Sequence, residues 1–210
     1  MALAASGTLL LAAAIAGLVW AKRYAPLSST AGGVSAADQL QHLGAYVEAE
    51  PGSGGRDVVY PRFRAGHDYW VGFTLRNHGP LDVTVLGLVV PDLPGAATVP
   101  QDLRAAPHPA VDEAFGGQNM LEETVPVSRL RIRSHGARFV WVGFRMQTCY
   151  HHDRGGTESH TDVAFRIRYL GIFARSQRVE LPTVVSIRCG RQFPPRTTHP
   201  ASAAPSTRIE

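Results

Sequence analysis

Hydrophobic and polar positions alternate most regularly along the chain between Asp68 and Val90. The apolar residues that share one parity are Tyr69, Val71, Phe73 and Leu75, then Leu81, Val83, Val85 and Val89. Between these two runs lies Asn77-His78-Gly79-Pro80, whose composition is typical of a turn. A period of two on both sides of a turn predicts a β-hairpin with one face directed into a core.

A second stretch repeats the first half of this pattern. Residues 69–75 (YWVGFTL) and 140–146 (VWVGFRM) align without gaps and are identical at four of seven positions. This can indicate an internal repeat. We favour two equivalent central strands, each with one face in the core and a glycine where a neighbouring strand packs closely.

Further alternation predicts strands over 45–49, 57–60, 123–133, 162–169, 177–181 and 184–189. Residues 91–118 are rich in Pro and Gly, and we expect an irregular connection there that crosses from one sheet to the other. The pattern therefore predicts an all-β protein, an antiparallel β-sandwich of about eight or nine strands over residues 44–190. The composition of residues 25–43 predicts a flexible tether, and that of 191–210 a disordered tail.

The N-terminal segment, residues 1–24, carries no charged side chain before Lys22. About 20 helical residues span the hydrocarbon core of a bilayer, so the run predicts one transmembrane helix, with Trp20 and Tyr24 at an interface beside Lys22 and Arg23. Three interpretations remain open: an anchor with the remainder outside the cytoplasm, a signal peptide cleaved after Ala21, and an anchor with the remainder inside. We favour the first, a single-pass membrane protein with an extracytoplasmic domain; the second would make the protein secreted.

Positive charge is concentrated in the second half of the chain. The net charge is +4, Lys22 is the only lysine, and residues 129–196 hold 13 Arg against four acidic residues. Such a bias can attract anionic lipids, surface polymers or nucleic acid, or it can reflect a general use of arginine as the solvated cation. No basic run is interleaved with aromatic residues, so we expect no nucleic-acid partner.

The chain contains two cysteines, Cys149 and Cys189. An even count, predicted export and a β setting together predict one disulfide. Such a bridge closes a loop of about 41 residues and contributes roughly 4 kcal/mol in the chain-entropy model. The alternatives are two buried free thiols, or a thiol nucleophile for which only His151 is a nearby base.

The densest run of chemically active side chains lies between residues 150 and 160. It holds the candidate metal ligands His151, His152, Asp153, Glu158 and His160. Neutral imidazoles and carboxylates bind zinc or copper, so a hairpin that pivots on Gly155-Gly156 would bring His151 or His152 opposite His160. No recognised ligand spacing is present, and we favour a solvated loop without a cofactor.

One segment resembles a known class of proteins. Residues 73–85 (FTLRNHGPLDVTV) resemble the "strand, Asn-x-Gly, strand" signature of bacterial immunoglobulin-like and fibronectin-like surface modules. The resemblance covers one predicted hairpin, and the antibody-type Cys–Trp–Cys arrangement is absent. It implies an immunoglobulin-like sandwich that serves adhesion, spacing or binding.

Catalytic motifs do not accompany these features. The sequence has no Gly-x-Ser-x-Gly, no phosphate-binding glycine loop and no Ser-x-x-Lys. The leading hypothesis is therefore a membrane-anchored β-sandwich with a non-catalytic binding or scaffolding role, whose partner is another envelope protein or an anionic surface polymer. The alternatives are an envelope metal-handling module that uses the loop from His151 to His160, and an enzyme with scattered active-site residues.

Overall fold

The computed structural model describes residues 15–30, 47–51, 56–61, 65–91, 98–106, 124–147 and 157–188. Within these ranges the chain forms one helix, over residues 15–23, and eleven strands. The strands are β1 (Leu27–Thr30), β2 (Val47–Pro51), β3 (Asp57–Pro61), β4 (Asp68–Asn77), β5 (Val83–Leu88), β6 (Thr98–Ala105), β7 (Val125–Pro126), β8 (Leu130–Ile132), β9 (Ala137–Met146), β10 (Thr157–Tyr169) and β11 (Phe173–Arg188).

These strands build two sheets that face each other across a common core. The first sheet has the order β1-β4-β9-β6-β7, and the second has the order β2-β3-β11-β10-β5-β8. All pairs are antiparallel except β3 and β11, which pair in parallel at Val58 and Val59. The predicted all-β sandwich is confirmed, with one parallel pair and with more strands in the described residues than the eight or nine expected.

The predicted hairpin over residues 68–90 is wrong. Both strands exist, but β4 lies in the first sheet and β5 in the second, so the turn between them carries the chain from one sheet to the other. Alternation and turn composition do not distinguish the two cases, because strands of a hairpin and strands of facing sheets both bury one face in the core.

Asn77 makes this crossing energetically acceptable. Its side chain is fully buried, and its amide Nδ2 donates to the carbonyl oxygens of Leu81 at 2.7 Å, Arg133 at 3.0 Å and Ile132 at 3.3 Å. Its Oδ1 accepts the backbone N–H of Gly79 at 3.0 Å. One side chain therefore satisfies backbone groups that leave the sheet ladders at the crossing.

The two similar segments, 69–75 and 140–146, are neighbours in the first sheet. In the register of β4 and β9, Trp70 lies opposite Gly143, and Gly72 lies opposite Trp141. A Cβ atom on Gly143 would lie 2.9 Å from the Trp70 ring, closer than carbon atoms pack. Trp70 thus covers Gly143 on the sheet face that points away from the core, and the reciprocal placement of Gly72 opposite Trp141 agrees with the interpretation of two equivalent central strands.

The core between the sheets consists of the residues that the alternation predicted. Seven predicted core side chains are each at most 1% exposed: Val71, Phe73, Val85, Val142, Phe144, Phe165 and Ile167. The rings of Phe73 and Phe165 meet edge to face across the two sheets, with centroids 6.4 Å apart. The faces of these strands were therefore assigned correctly.

Two segments predicted to be irregular contain strands. Residues 27–30, within the expected tether, form β1. This strand pairs with β4, from Leu27 opposite Asn77 to Thr30 opposite Thr74. Residues 98–105, within the expected irregular connection, form β6 and pair with β9. Small and polar composition marks a segment as a poor helix former, but an edge strand next to a stable sheet needs little apolar surface of its own. The chain does cross from the second sheet to the first between β5 and β6.

The predicted transmembrane helix of residues 1–24 falls mostly outside the described residues, which include its last part, 15–23. Among the described helices, none has the length and apolar character needed to cross a membrane. Tyr24, expected at a membrane interface, is instead 9% exposed and belongs to the core of the sandwich.

Candidate functional site

One end of the sandwich contains a polar cluster, which we call the polar end and define by Tyr69, Thr98, Phe144, Glu158 and His160. β4 and β6 begin there and β9 ends there in the first sheet, and β10 begins there in the second. His160 Nε2 lies 3.1 Å from Glu158 Oε1, and it forms a short hydrogen bond with Thr98 Oγ1. Two candidate metal ligands therefore lie together, with a threonine that the sequence did not single out.

A register shift between β10 and β11 turns His160 into the sandwich. The register of β10 against β11 shifts between His160 and Asp162. Without the shift, the parity that buries Val163 and Phe165 would direct His160 to solvent. With it, the His160 ring lies 5.1 Å from that of Phe144, across the core. Alternation of apolar and polar residues cannot reveal a register shift between two strands, so no sequence signal predicted this contact.

Burial decides the charge states in the cluster. Removal from water lowers the pKa of His160 from its usual value, although the Glu158 carboxylate acts in the opposite direction. Burial likewise raises the pKa of the Tyr69 phenol far above its usual range, while the Thr98 side chain acts weakly against this. Within the described residues, the buried Tyr69 hydroxyl has no hydrogen-bond partner. The imidazole of His160 and the phenol of Tyr69 are thus both neutral at neutral pH.

The geometry does not form a catalytic triad. A hydroxyl nucleophile needs one imidazole nitrogen as its base and a carboxylate on the other nitrogen. Here Thr98 and Glu158 both meet Nε2 of His160, and the Thr98 backbone N–H and Oγ1 also donate to Glu158 Oε1, at 3.4 and 3.3 Å. Glu158 Oε1 thus accepts hydrogen bonds from Thr98, an arrangement that does not activate the threonine as a nucleophile.

The cluster contains two of the five predicted metal ligands, Glu158 and His160. Tetrahedral zinc holds two ligand atoms about 3.3 Å apart, close to the 3.1 Å between His160 Nε2 and Glu158 Oε1. The other predicted ligands, His151, His152 and Asp153, lie outside the described residues. Within the described ranges, no group of three metal-ligating side chains is present.

The opposite end of the sandwich receives the helix, and we call it the helix end. It comprises the last helical turn at Ala21, the β4–β5 crossing, the β8–β9 turn and the β10–β11 turn. Ala21 and Tyr24 are buried, and the Tyr169 hydroxyl donates a short hydrogen bond to the carbonyl oxygen of Ala21. The Tyr24 and Tyr169 rings meet edge to face with centroids 5.1 Å apart. The helix is therefore docked on the sandwich.

Polar side chains fix the segment that leaves the helix. Arg175 Nη1 donates to the carbonyl oxygens of Lys22 at 2.5 Å and Tyr24 at 3.3 Å. Gln177, which is buried, binds both the backbone N–H and C=O of Leu27, at 3.3 and 2.7 Å. A cation at the last carbonyls also complements the helix dipole. Hydrogen bonds from Arg175 and Gln177 thus fix the connection between the helix and β1, where a flexible tether was expected.

The β10–β11 turn at the helix end is apolar. Leu170 is 54% exposed and Ile172 is 78% exposed. Leu170 has a left-handed backbone conformation with a φ of 51°, and Gly171 follows it with a φ of 73°. Asn, Asp and Gly are the residues that adopt this conformation readily. The chain therefore exposes two large apolar side chains where turn chemistry favours polar ones.

The solvent face of the second sheet carries the arginines that the sequence placed among apolar residues. This basic face consists of Arg131 on β8, Arg166 and Arg168 on β10, and Arg178 on β11. Arg166 and Arg178 occupy diagonal positions, since Ala164 pairs with Arg178. Asp82 accepts two hydrogen bonds from Arg131, and the Ser134 backbone N–H and Arg131 lower the pKa of its carboxyl.

The polarity of this face changes along the strands. Asp162 on β10 and Glu180 on β11 lie opposite each other in the strand register, towards the polar end. Arg56 Nη1 lies 3.7 Å from Glu180 Oε2. Cationic groups dominate towards the helix end. Among the described side chains of that end, Asp82 supplies the carboxylate. The sandwich is thus positive at the helix end, and its described carboxylates other than Asp82 lie nearer to the polar end.

Both cysteines of the predicted disulfide, Cys149 and Cys189, lie outside the described residues. The strands that precede them in the chain, β9 and β11, end at Met146 and Arg188. Both strand ends lie at the polar end, because Arg188 pairs with Thr157 and Met146 pairs with Thr98. The disulfide remains a prediction.

No family model matches the sequence, and no curated protein matches it. Among solved structures, PapD-like domain 7 of human CEP192 is similar over 68% of this chain and 83% of that one, with 14% identity and a TM-score of 0.30.

Two larger proteins give weaker similarities. A family 123 glycoside hydrolase from Clostridium perfringens matches over 79% of this chain and 27% of its own, with 6% identity and a TM-score of 0.29. The alkylpurine DNA glycosylase AlkC of Pseudomonas fluorescens matches over 75% and 31%, with 8% identity and a TM-score of 0.23. These values assign neither a family nor an activity, and the fold rests on the strands and sheets described above.

Proposed function

We propose that the protein is a membrane-anchored, extracytoplasmic β-sandwich that binds an anionic partner of the cell envelope through the basic face. The supporting observation is the placement of Arg131, Arg166, Arg168 and Arg178 on one solvent face of the second sheet, on β8, β10 and β11. Arginines at this spacing contact successive charges of a polyanion. The role is binding, since the hydroxyl, imidazole and carboxylate of the polar end are not arranged for nucleophilic catalysis.

An anionic surface polymer fits this face better than a protein does. Protein interfaces have an apolar centre with a polar rim. The large apolar side chains that are exposed in the described residues lie in the helix, at Val90 and Val125, and in the β10–β11 turn. The basic face offers Arg, Ser, Thr and Ala, which suit a repeating charged chain.

The binding test uses the full-length protein in detergent and a poly(glycerol phosphate) polymer as the probe, with affinity measured at several salt concentrations. We expect Arg166→Gln and Arg178→Gln each to weaken binding by about threefold and the double variant by roughly tenfold, because an exposed ion pair contributes about 0.2–1 kcal/mol. Arg145→Gln, which removes one charge from the solvent face of the first sheet, is the matched control.

Two results would contradict the polymer proposal. One is equal binding by wild type and the double variant, and the other is an equal loss in Arg145→Gln. If the polymer does not bind, while a photo-crosslinker at position 178 captures an acidic envelope protein in intact cells, the basic face is a protein interface.

The extracytoplasmic location is supported by the uncharged run before Lys22 and by the cysteine pair. Alkaline phosphatase fused after residue 210 should be active, and green fluorescent protein at the same position should be dark. Mass spectrometry of protein from the envelope should show a Cys149–Cys189 disulfide. Silent phosphatase with bright fluorescence, or two alkylatable thiols, would place the domain in the cytoplasm.

A second function is favoured by one observation, the 3.1 Å separation of Glu158 Oε1 and His160 Nε2. In a metal-handling module these two side chains would hold zinc or copper, with a third ligand from His151, His152 or Asp153. Calorimetric titration with each metal at pH 7.5 should then give binding that His160→Ala abolishes. Absence of binding, or equal binding by both proteins, would remove this function.

A further inference from the structure

The apolar β10–β11 turn, the docked helix and the surrounding cations form one surface at the helix end. The Tyr169 hydroxyl binds the carbonyl oxygen of Ala21, so the turn that follows Tyr169 begins beside the last turn of the helix. Tyr169 and Phe173 pair directly across the base of this turn and stack at 5.7 Å. The tip at Leu170 and Ile172 is thus held on a rigid aromatic base.

The helix carries exposed apolar side chains up to the point where it meets the sandwich. Ile15, Leu18, Val19 and Trp20 are exposed, and the charged residues Lys22 and Arg23 follow directly. The 14 residues before the described helix contain no charged side chain. If the helix enters a bilayer, Trp20 and the cations after it lie at the boundary between hydrocarbon and headgroups.

Charge around the tip matches the same boundary. Arg168 and Arg175 flank the turn on the two strands that form it, and Lys22 and Arg23 flank the helix. Asp82, the acidic residue of this end within the described side chains, is neutralised by Arg131. A juxtamembrane cation near an anionic surface contributes about 1 kcal/mol. Apolar side chains framed by cations therefore suit an anionic lipid surface.

The backbone of the turn supplies an independent argument. Leu170 adopts a left-handed conformation, with φ of 51°, which a bulky residue occupies at an energetic cost. Asn or Gly would relieve that cost and would also be more soluble at so exposed a position. Folding alone therefore does not account for leucine at this tip, whereas contact with lipid does.

We propose that the β10–β11 turn inserts Leu170 and Ile172 into the anionic leaflet beside the N-terminal anchor. The protein then contacts the bilayer at two points, the anchor and the turn. Its strands are directed away from the membrane, so the polar end lies farthest from the bilayer and the basic face lies on the side of the domain. A second contact fixes the orientation that a single helix would leave free. The inference rests on the proposed membrane anchor and adds to it a surface of the folded domain.

The test reconstitutes the full chain into vesicles of phosphatidylglycerol and phosphatidylcholine that contain a phospholipid with a photoactivatable acyl chain. Crosslinked residues are mapped by mass spectrometry. We expect crosslinks at residues 170–172 as well as in the helix. Leu170→Asn with Ile172→Ser should lower the yield at the turn several-fold and leave the yield in the helix unchanged.

Two controls separate lipid contact from a structural role. Val90→Ser alters a side chain that is 53% exposed but lies away from the helix end, and it should change neither yield. Leu170→Asn should keep or raise the melting temperature, because Asn tolerates the left-handed backbone; a structural role for leucine would lower it.

The two proposals fail in different ways. Crosslinks in residues 15–20 without any at 170–172 would overturn the insertion of the turn and leave the anchor intact. Absence of crosslinks at both places would overturn both. Equal crosslinking at the turn by wild type and the double variant would show that Leu170 and Ile172 do not carry the contact.

Discussion

The helix end and the polar end of the sandwich bury polar side chains for different purposes. At the helix end, Asn77 and Gln177 bind backbone groups where the chain changes sheets or leaves the helix. At the polar end, Glu158 and His160 bind each other and Thr98. Amides keep one charge state at every pH, whereas an imidazole beside a carboxylate does not.

The difference shows how one fold assigns separate tasks to its ends. The helix end holds the anchor segment in a fixed position, and its hydrogen bonds do not change with conditions. The polar end contains groups whose protonation or ligation can change without loss of the core, which Phe73 and Phe165 maintain between the sheets. Four predictions test this contrast.

The largest effect should come from Asn77→Asp. An ionised aspartate has no donor, so it would place a buried charge against the three carbonyl oxygens that the Asn77 amide now binds. Unfolding in urea at pH 7 should show a loss of about 3–5 kcal/mol, as for other uncompensated buried charges. Asp82→Asn at the same end, on an accessible ion pair, should lose far less; similar losses would contradict a special role for Asn77.

Gly79→Ala should weaken the docking of the helix. A Cβ atom there would overlap the Tyr24 ring and lie 2.8 Å from Pro26 Cβ, so the segment after the helix must move. Overpacking of this kind costs about 1–3 kcal/mol. Thermal unfolding measures the loss, and trypsin should cleave after Lys22 or Arg23 faster than in wild type.

The same substitution in a Tyr24→Ala background is the control for this mechanism. Removal of the ring removes the overlap, so the two changes should couple in a double-mutant cycle. Strictly additive losses would mean that Gly79 is needed for another reason.

Thr98→Val should have a smaller effect at the polar end. Valine keeps the shape of threonine but removes the hydroxyl that joins Glu158 and His160. The expected loss of unfolding free energy is about 0.5–1.5 kcal/mol, the usual net value of one hydrogen bond. Thr74→Val on the solvent face of the first sheet is the matched control, and an equal change in both variants would show that the cluster adds no stability.

The smallest expected effect is the pH dependence of stability, which is resolved best by comparing wild type with a His160 variant. Burial lowers the pKa of His160 in the folded state, so the unfolded chain takes up the proton first as pH falls. The stability contributed by the neutral imidazole is present above the unfolded pKa, about 6.5, and declines as pH falls below it. Melting temperatures between pH 8 and 5, measured with EDTA, should therefore fall more steeply for wild type than for His160→Gln. Parallel curves for the two proteins, with His78→Gln as the control at the helix end, would contradict this assignment.

Sequence patterning was sufficient for the core and for the fold class. Alternation fixes which face of a strand is apolar, and burial of that face is the dominant favourable term in folding. Phe73, Val85 and Phe144 were therefore assigned correctly without knowledge of their partners. The same information located β4, β9 and the second half of β10.

Which strands pair, and which way a side chain points after an irregularity, depended on the tertiary structure. The strands before and after Asn77 pair in different sheets, because a buried amide makes the crossing acceptable and both arrangements bury the same faces. His160 turns inward because the register of β10 against β11 shifts between His160 and Asp162, which changes the parity without changing the composition. The strand at residues 98–105 forms because β9 offers it a ladder of hydrogen bonds, a partner that no local pattern contains.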